Sequence, residues 1–187
     1  EGAATKRAGA VDAQVWLAAA RPLIPSDFNL LRADSPLVTA TIYEVLGDLR
    51  ANALDERDKG DKFERLIKTY LLNDPEWSAR FSNVWLWSEW PGREGRTDTG
   101  VDLVASLREE ESYAAIQCKF YEPTHQLRKE DIDSFFTASG KNPFTNRIII
   151  STTDRWGRNA EDALEDQTIP VQRIGLAEIA DSPIDWD

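Results

Sequence analysis

The chain has 187 residues, with 33 Asp/Glu against 22 Lys/Arg and a net charge of −11. That length leaves room for one domain with a substantial core. A single cysteine excludes an internal disulfide, no apolar stretch approaches the roughly 18 residues of a membrane span, and no signal-peptide pattern appears; a protein of the reducing cytoplasm is expected.

Residues 1–34 are low in large apolar side chains at their start and are expected to be a partly flexible lead-in with a short helix over Val11–Ala20, before Pro22 and Pro25. Ser35-Pro36, a capping residue followed by proline, is expected to open a helix running to about Arg57, with Ile42, Val45, Leu46, Leu49 and Leu54 as its apolar positions and a break at Asp58–Gly60. The next helix, about 61–72, carries Phe63, Leu66, Ile67, Tyr70 and Leu71 on one face. Glu64 lies on its flank, where it either reaches a site or pairs with Lys68 one turn on. Phe81–Trp90 reads as the first strand; the tryptophans gathered at 77, 85, 87 and 90 are read as packing. Pro91–Arg96 is a turn-rich loop whose Arg93 and Arg96 either contact phosphates or are solvated.

Val101–Leu107 and Ser112–Tyr121 both read as strands, joined by a polar turn at Arg108–Glu111. A hairpin folded about residues 109 and 110 pairs residues whose numbers sum to 219, so Asp102 faces Gln117. Side chains alternate, so Gln117 shares a face with Lys119, the diagonal neighbour of Asp102, while Ile116, Cys118 and Phe120 take the other face and make Cys118 a core thiol. His125, the only histidine, falls in a loop and is expected to be solvated. Lys129–Ser139 reads as a crossover helix and Phe144–Ser151 as a buried parallel strand, its Ile148-Ile-Ile150 continuously apolar. A helix at Asn159–Asp166, a strand at Ile169–Ile174 and a helical turn at Leu176–Ala180 follow. The order predicts an α/β fold: an antiparallel meander extended by parallel strands into a mixed sheet flanked by helices.

A carboxylate, an amide oxygen and a lysine converging at a strand edge are suited to holding a hard cation and positioning a water. The same residues also read as a turn aspartate and a solvated lysine. No glycine-rich phosphate loop of nucleotide-binding spacing occurs, so no bound nucleotide is expected. One histidine excludes a two-histidine phosphodiesterase site.

The runs Gly60-Asp-Lys-Phe-Glu64, Val84-Trp-Leu-Trp87, Asp98-Thr-Gly-Val-Asp102, Ala115-Ile-Gln-Cys-Lys119 and Ile148-Ile-Ile-Ser-Thr152 occur in that order. Together they resemble the Mrr-like branch of the PD-(D/E)xK nucleases, with QxK in place of the commoner (D/E)xK. Asp131-Ile-Asp-Ser-Phe-Phe-Thr-Ala-Ser-Gly140 and the closing Ile184-Asp-Trp186 narrow the resemblance to the N-terminal nuclease domain of Type ISP restriction–modification enzymes. It spans roughly residues 35–187. The chain contains no methionine, even at position 1, and is expected to be one domain of a longer bacterial polypeptide.

The resemblance implies a restriction-endonuclease-like domain that nicks double-stranded DNA with Mg2+ or Mn2+, alongside helicase/translocase and methyltransferase domains in the same polypeptide. It implies Asp102, Gln117 and Glu64 as metal-binding residues, with Asp98 completing or buttressing the shell, and Lys119 as the group that orients or deprotonates water. Gln117 in place of a carboxylate removes a negative charge, so weaker metal binding is expected unless Glu64 compensates. Arg93, Arg96, Arg155 and Arg158 are the candidate DNA contacts. Residues 91–160 hold ten Lys/Arg against eleven Asp/Glu, so the acidity lies mainly elsewhere. The alternative is a non-catalytic DNA-binding or docking module that keeps the fold, with Ser151, Thr152, Arg155 and Arg158 serving phosphate contacts.

Overall fold

Short runs rich in apolar and β-branched residues set up five strands, and the structure, a computed structural model that describes residues 40–97 and 100–186, joins them in one sheet. β1 (Phe81–Leu86), β2 (Leu103–Leu107), β3 (Tyr113–Lys119), β4 (Phe144–Ser151) and β5 (Val171–Ile174) lie side by side in chain order. β1, β2 and β3 pair antiparallel, and β4 and β5 add in parallel. The expected mixed α/β sheet is therefore present. So is the expected hairpin register: Leu103 faces Ile116, Val104 faces Ala115 and Ser106 faces Tyr113, each pair summing to 219.

The period of two sorts side chains into two apolar layers. Leu103, Ala105, Ala114, Ile116, Ile148 and Ile150 join one layer with Phe63, Ile67, Tyr70 and Leu71 of the long helix α2 (Glu56–Asn73). Val104, Ala115 and Ile149 join the other with Phe135 of α4 (Asp133–Ser139). Cys118 packs against the first layer, as expected of a core thiol.

Local capping decides where the helices differ from the sequence reading. α1 is Ile42–Ala51, because the Thr41 hydroxyl accepts the Glu44 N–H at 3.3 Å while the Glu44 carboxylate accepts the Thr41 N–H at 2.8 Å. Residues 35–39, the lead-in 1–34 and the helix expected at Val11–Ala20 lie outside the described residues. The end expected at Arg57 is wrong: Leu54 is 90% exposed, and Asp55 caps α2 by accepting the Asp58 N–H at 2.8 Å. The break therefore falls before α2, which runs through Asp58–Gly60 with Lys59–Glu56 and Lys62–Asp58 ion pairs along its first turns.

An unanticipated helix, α3 (Pro75–Arg80), starts where the Asp74 carboxylate accepts the N–H groups of Glu76 and Trp77, with Pro75 in the first turn. β1 stops at Leu86 and not at Trp90, since Trp87–Glu89 tighten into a 3-10 turn. Glu89 there takes Lys68 at 2.6 Å. The crossover expected at Lys129–Ser139 is a 3-10 turn, Lys129–Asp131, followed by α4. α5 (Arg158–Leu164) and α6 (Leu176–Ala180) close the chain.

Two tyrosines carry a pH signature. Burial, chiefly, raises Tyr70 and Tyr121 from 10.0 to about 12; neighbouring carboxylates push the same way, Asp74 at Tyr70 and Asp131 at Tyr121. A raised acid holds its proton longer in the folded state than in the unfolded one. The stability they contribute is therefore complete below 10.0 and falls as pH rises toward about 12. Urea unfolding followed across that alkaline window is expected to show the loss, and Tyr70→Phe is expected to flatten it.

Candidate active site

β1, β3 and β4 end at the edge of the sheet where β2 begins, because Leu86 faces Leu103, Leu103 faces Ile116 and Lys119 faces Ser151. The loops 87–101, 120–131 and 152–158 leave from that edge together. All the described candidate arginines sit in or at the end of these loops: Arg93 and Arg96 after β1, Arg155 and Arg158 after β4.

Asp102 is held at this edge through both backbone and side chain. Its N–H donates to the Ile116 carbonyl at 2.9 Å and its carbonyl accepts the Trp87 N–H at 2.8 Å. Its carboxylate Oδ2 accepts the Cys118 N–H at 2.6 Å, which sets the carboxylate against the backbone between Gln117 and Lys119. Gln117 is 2% exposed; its Nε2 donates to the Gly100 carbonyl at 3.2 Å, and its Oε1 has no hydrogen-bond partner among the described residues. Lys119 lies opposite Ser151, and its carbonyl accepts the Thr152 N–H at 3.0 Å.

Glu64 approaches from the helix layer. It follows Phe63, whose ring stacks on Phe120 with centroids 4.8 Å apart, tying this turn of α2 to the end of β3. The Cys118 thiol registers the convergence: burial raises it well above its ordinary value, the charges of Asp102 and Glu64 raise it further, and Lys119 opposes them. The structure thus places Asp102, Gln117 and Lys119 at one strand end, with Glu64 on α2, the helix that packs on the Cys118 side of the sheet. Asp98 lies outside the described residues, and among those residues no group of three or more His, Cys, Asp or Glu side chains forms a metal-binding cluster.

Two features of this edge escaped the sequence reading. Gly100 has φ +95°, and a Cβ there would stand 2.5 Å from Ser134 Oγ and 3.1 Å from the Phe135 nitrogen. The turn before Asp102 therefore rests directly on α4, and only glycine fits. Gly100→Ala is expected to destabilise the domain by about 1–3 kcal/mol and to weaken any activity that depends on Asp102, as thermal melting beside an activity assay would show. The only hint in the sequence is the glycine within Asp98-Thr-Gly-Val-Asp102.

His125 is the second. It lies in its loop with the side chain 40% exposed, as expected, but its ring stacks on Tyr121 with centroids 4.0 Å apart, and Nε2 lies 3.8 Å from Asp131 Oδ2. The Tyr121 hydroxyl donates to Asp131 Oδ1 at 3.1 Å. Nothing in the sequence spacing marks this group.

The surface contacts also sort themselves. Arg93 Nε donates to the Arg96 carbonyl at 2.7 Å, Arg96 Nη2 to the Gly92 carbonyl at 2.9 Å, and Arg155 Nη1 to the Thr124 carbonyl at 3.1 Å. Arg96, Arg155 and Arg158 remain exposed. Ser151 and Thr152, candidates for phosphate contacts in the binding-module reading, are 2% and 3% exposed. Thr152 Oγ1 instead joins β4 to the loop after β3, accepting the Tyr121 N–H at 2.9 Å and donating to the Tyr121 carbonyl at 2.7 Å.

A family model described as a restriction endonuclease matches residues 72–187. Among solved structures, the chain is similar to the ATP-dependent Type ISP restriction-modification enzyme LlaBIII bound to DNA, with 35% identity and a TM-score of 0.62 over 75% of this chain and 9% of that one. It is also similar to the MspJI restriction endonuclease in complex with a 27-mer oligonucleotide (20% identity, TM-score 0.47, 73% of this chain and 30% of that one). A further likeness is to the DNA modification-dependent restriction endonuclease AspBHI (16% identity, TM-score 0.49, 79% and 38%). No curated protein matches. The chain spans well under two thirds of the length of each of these structures.

Proposed function

This chain belongs to the restriction endonuclease family, and we propose that it is a metal-dependent endonuclease that hydrolyses phosphodiester bonds of duplex DNA. The observation that carries the reading is the buried Gln117 Oε1, an acceptor with no hydrogen-bond partner among the described residues, one residue from Cys118, whose N–H the Asp102 carboxylate accepts. Buried acceptors are ordinarily satisfied, and a hard oxygen at a carboxylate-bearing strand edge suits a divalent cation. Asp102, Gln117 and Glu64 are all oxygen donors, which fits Mg2+ or Mn2+; Asp98 would be a further ligand. When bound, such an ion lowers the pKa of a coordinated water and offsets charge on the phosphate.

The remaining work falls to the chain. Lys119 orients the attacking water or takes its proton, and its charge opposes the developing negative charge on phosphorus-bound oxygen. The hydrogen bond from Cys118 N–H holds the Asp102 carboxylate in place. The Gln117 amide is anchored through Nε2, which leaves Oε1 to face a ligand. The test is nicking of supercoiled plasmid with Mg2+ or Mn2+ and with chelator. A non-catalytic DNA-binding module draws support from the lack of a three-residue acidic cluster among the described residues; protein that binds DNA but never nicks it in either metal would favour that reading.

We further propose that residues 35–187 form the cleavage module of an ATP-dependent restriction–modification polypeptide, with a translocase and a methyltransferase supplied by the same chain. Its charge supports delivery by neighbours: −11 overall, and near balance in residues 91–160. With few phosphate contacts, the domain alone is expected to bind duplex DNA weakly and with a shallow salt slope. A salt titration of binding with an Asp102 variant checks this; nanomolar affinity at physiological salt would overturn it.

A further inference from the structure

A second pocket lies beside the candidate active site, between the loop after β1 and α4. It encloses about 410 Å³ and is lined by Trp87, Arg96, Ser134, Thr137, Lys141 and Phe144, among others. In a chain with 33 acidic residues, no Asp or Glu is among the described residues lining it, while two cations are. Trp87 is 6% exposed and its Nε1 has no hydrogen-bond partner among the described residues. An indole N–H is a donor only, so what completes this wall is an acceptor. Ser134 and Thr137 add hydroxyls from α4, and Phe144 and Trp87 add flat apolar surface.

We propose that this pocket takes one nucleotide of the substrate strand, with phosphate against Arg96 and Lys141 and the base against Trp87 and Phe144. The volume decides against a bare phosphate: it falls in the range of small-molecule sites, several times the size of an inorganic anion. The lining is also two-sided, cationic and hydroxylated on one part and aromatic with an unpaired donor on another. A nucleotide matches both parts, since its phosphate is anionic and its base is planar and carries acceptors. Position links the pocket to the chemistry. Ser134 stands against Gly100, the residue whose carbonyl accepts Gln117 Nε2. A nucleotide held here lies next to the Asp102 strand end and sets the register of the scissile phosphodiester. The inference rests on the nuclease reading for its meaning, though not for its test.

That test uses the full 187-residue chain, labelled with nitrogen-15, and follows the tryptophan indole N–H signals by NMR; the signal lost in Trp87→Phe is that of Trp87. Thymidine 5′-monophosphate is titrated in, with thymidine and inorganic phosphate as separate arms. The expected result is a saturable shift of the Trp87 signal by the nucleotide, with either separate arm at least about tenfold weaker. Arg96→Ala and Lys141→Ala, both at exposed positions, are expected to raise the half-saturating concentration about tenfold each, the scale of one charge-assisted hydrogen bond. A Trp87 signal that stays still, one that responds as strongly to phosphate alone, or one indifferent to Lys141→Ala overturns the proposal. No metal or cleavage enters the measurement. Failure of the pocket and failure of the nuclease reading therefore give different results.

Discussion

Asp102→Asn is expected to cut nicking of supercoiled DNA by at least about a thousandfold, the upper scale of losing a charge-stabilising group at a reacting centre, while the domain keeps its fold. Asparagine is the informative choice. The Asp102 carboxylate has a structural duty, accepting the Cys118 N–H at 2.6 Å. Alanine would strand that backbone donor, at a cost of about 1–3 kcal/mol, and would confuse instability with lost chemistry. The amide oxygen of asparagine preserves an acceptor for that N–H while the charge is deleted. Plasmid nicking in Mg2+ and in Mn2+, beside a thermal melt, reads both effects. Retained nicking would remove Asp102 from the proposed metal site.

Lys119→Ala is expected to lower cleavage by about a hundredfold or more, the range of a lost general acid–base or electrostatic group, while metal binding stays level or tightens. The direction follows from charge. Lys119 sits at the strand end beside Asp102, and its charge opposes the effect of Asp102 and Glu64 on the Cys118 thiol. Deleting the cation leaves those carboxylates more attractive to a divalent ion. Calorimetric titration with Mn2+ beside the nicking assay separates the contributions. Metal affinity that collapses on this substitution would show that Lys119 organises the site, and the proposed division of labour would be wrong.

The sheet was legible because its signals are local and periodic. Val101–Leu107 and Ser112–Tyr121 are short apolar runs with a polar turn between, and the register observed is the one that pairs residues summing to 219. The convergence of Asp102, Gln117 and Lys119 on one strand end followed from that register. Helix ends were less legible, because they depend on which of several polar side chains reaches a backbone N–H. Thr41 and Asp55 cap the first two described helices, whereas the sequence pointed to Asp58–Gly60 as the break between them. Trp87 looked like a strand residue because its neighbours alternate, yet the Glu89 carboxylate accepting the Leu86 N–H at 3.3 Å turns the chain there. Gly100 on Ser134 and His125 on Tyr121 join segments distant along the chain or lying within loops, and no periodic pattern encodes such meetings.

The Gln117 amide has a consequence for how the site can be altered. It works as a clasp: the NH2 end grips the carbonyl of the turn before Asp102, and that grip leaves the buried oxygen as the free acceptor among the described residues. A glutamate at 117 would set a carboxylate oxygen against the Gly100 carbonyl, two acceptors facing with no proton between them. The turn carrying Asp102 would lose its tether as the site gained its charge. Converting QxK to ExK is thus a trade between anchoring and electrostatics, and Gln117→Glu alone is expected to loosen the turn unless another donor is supplied for Gly100.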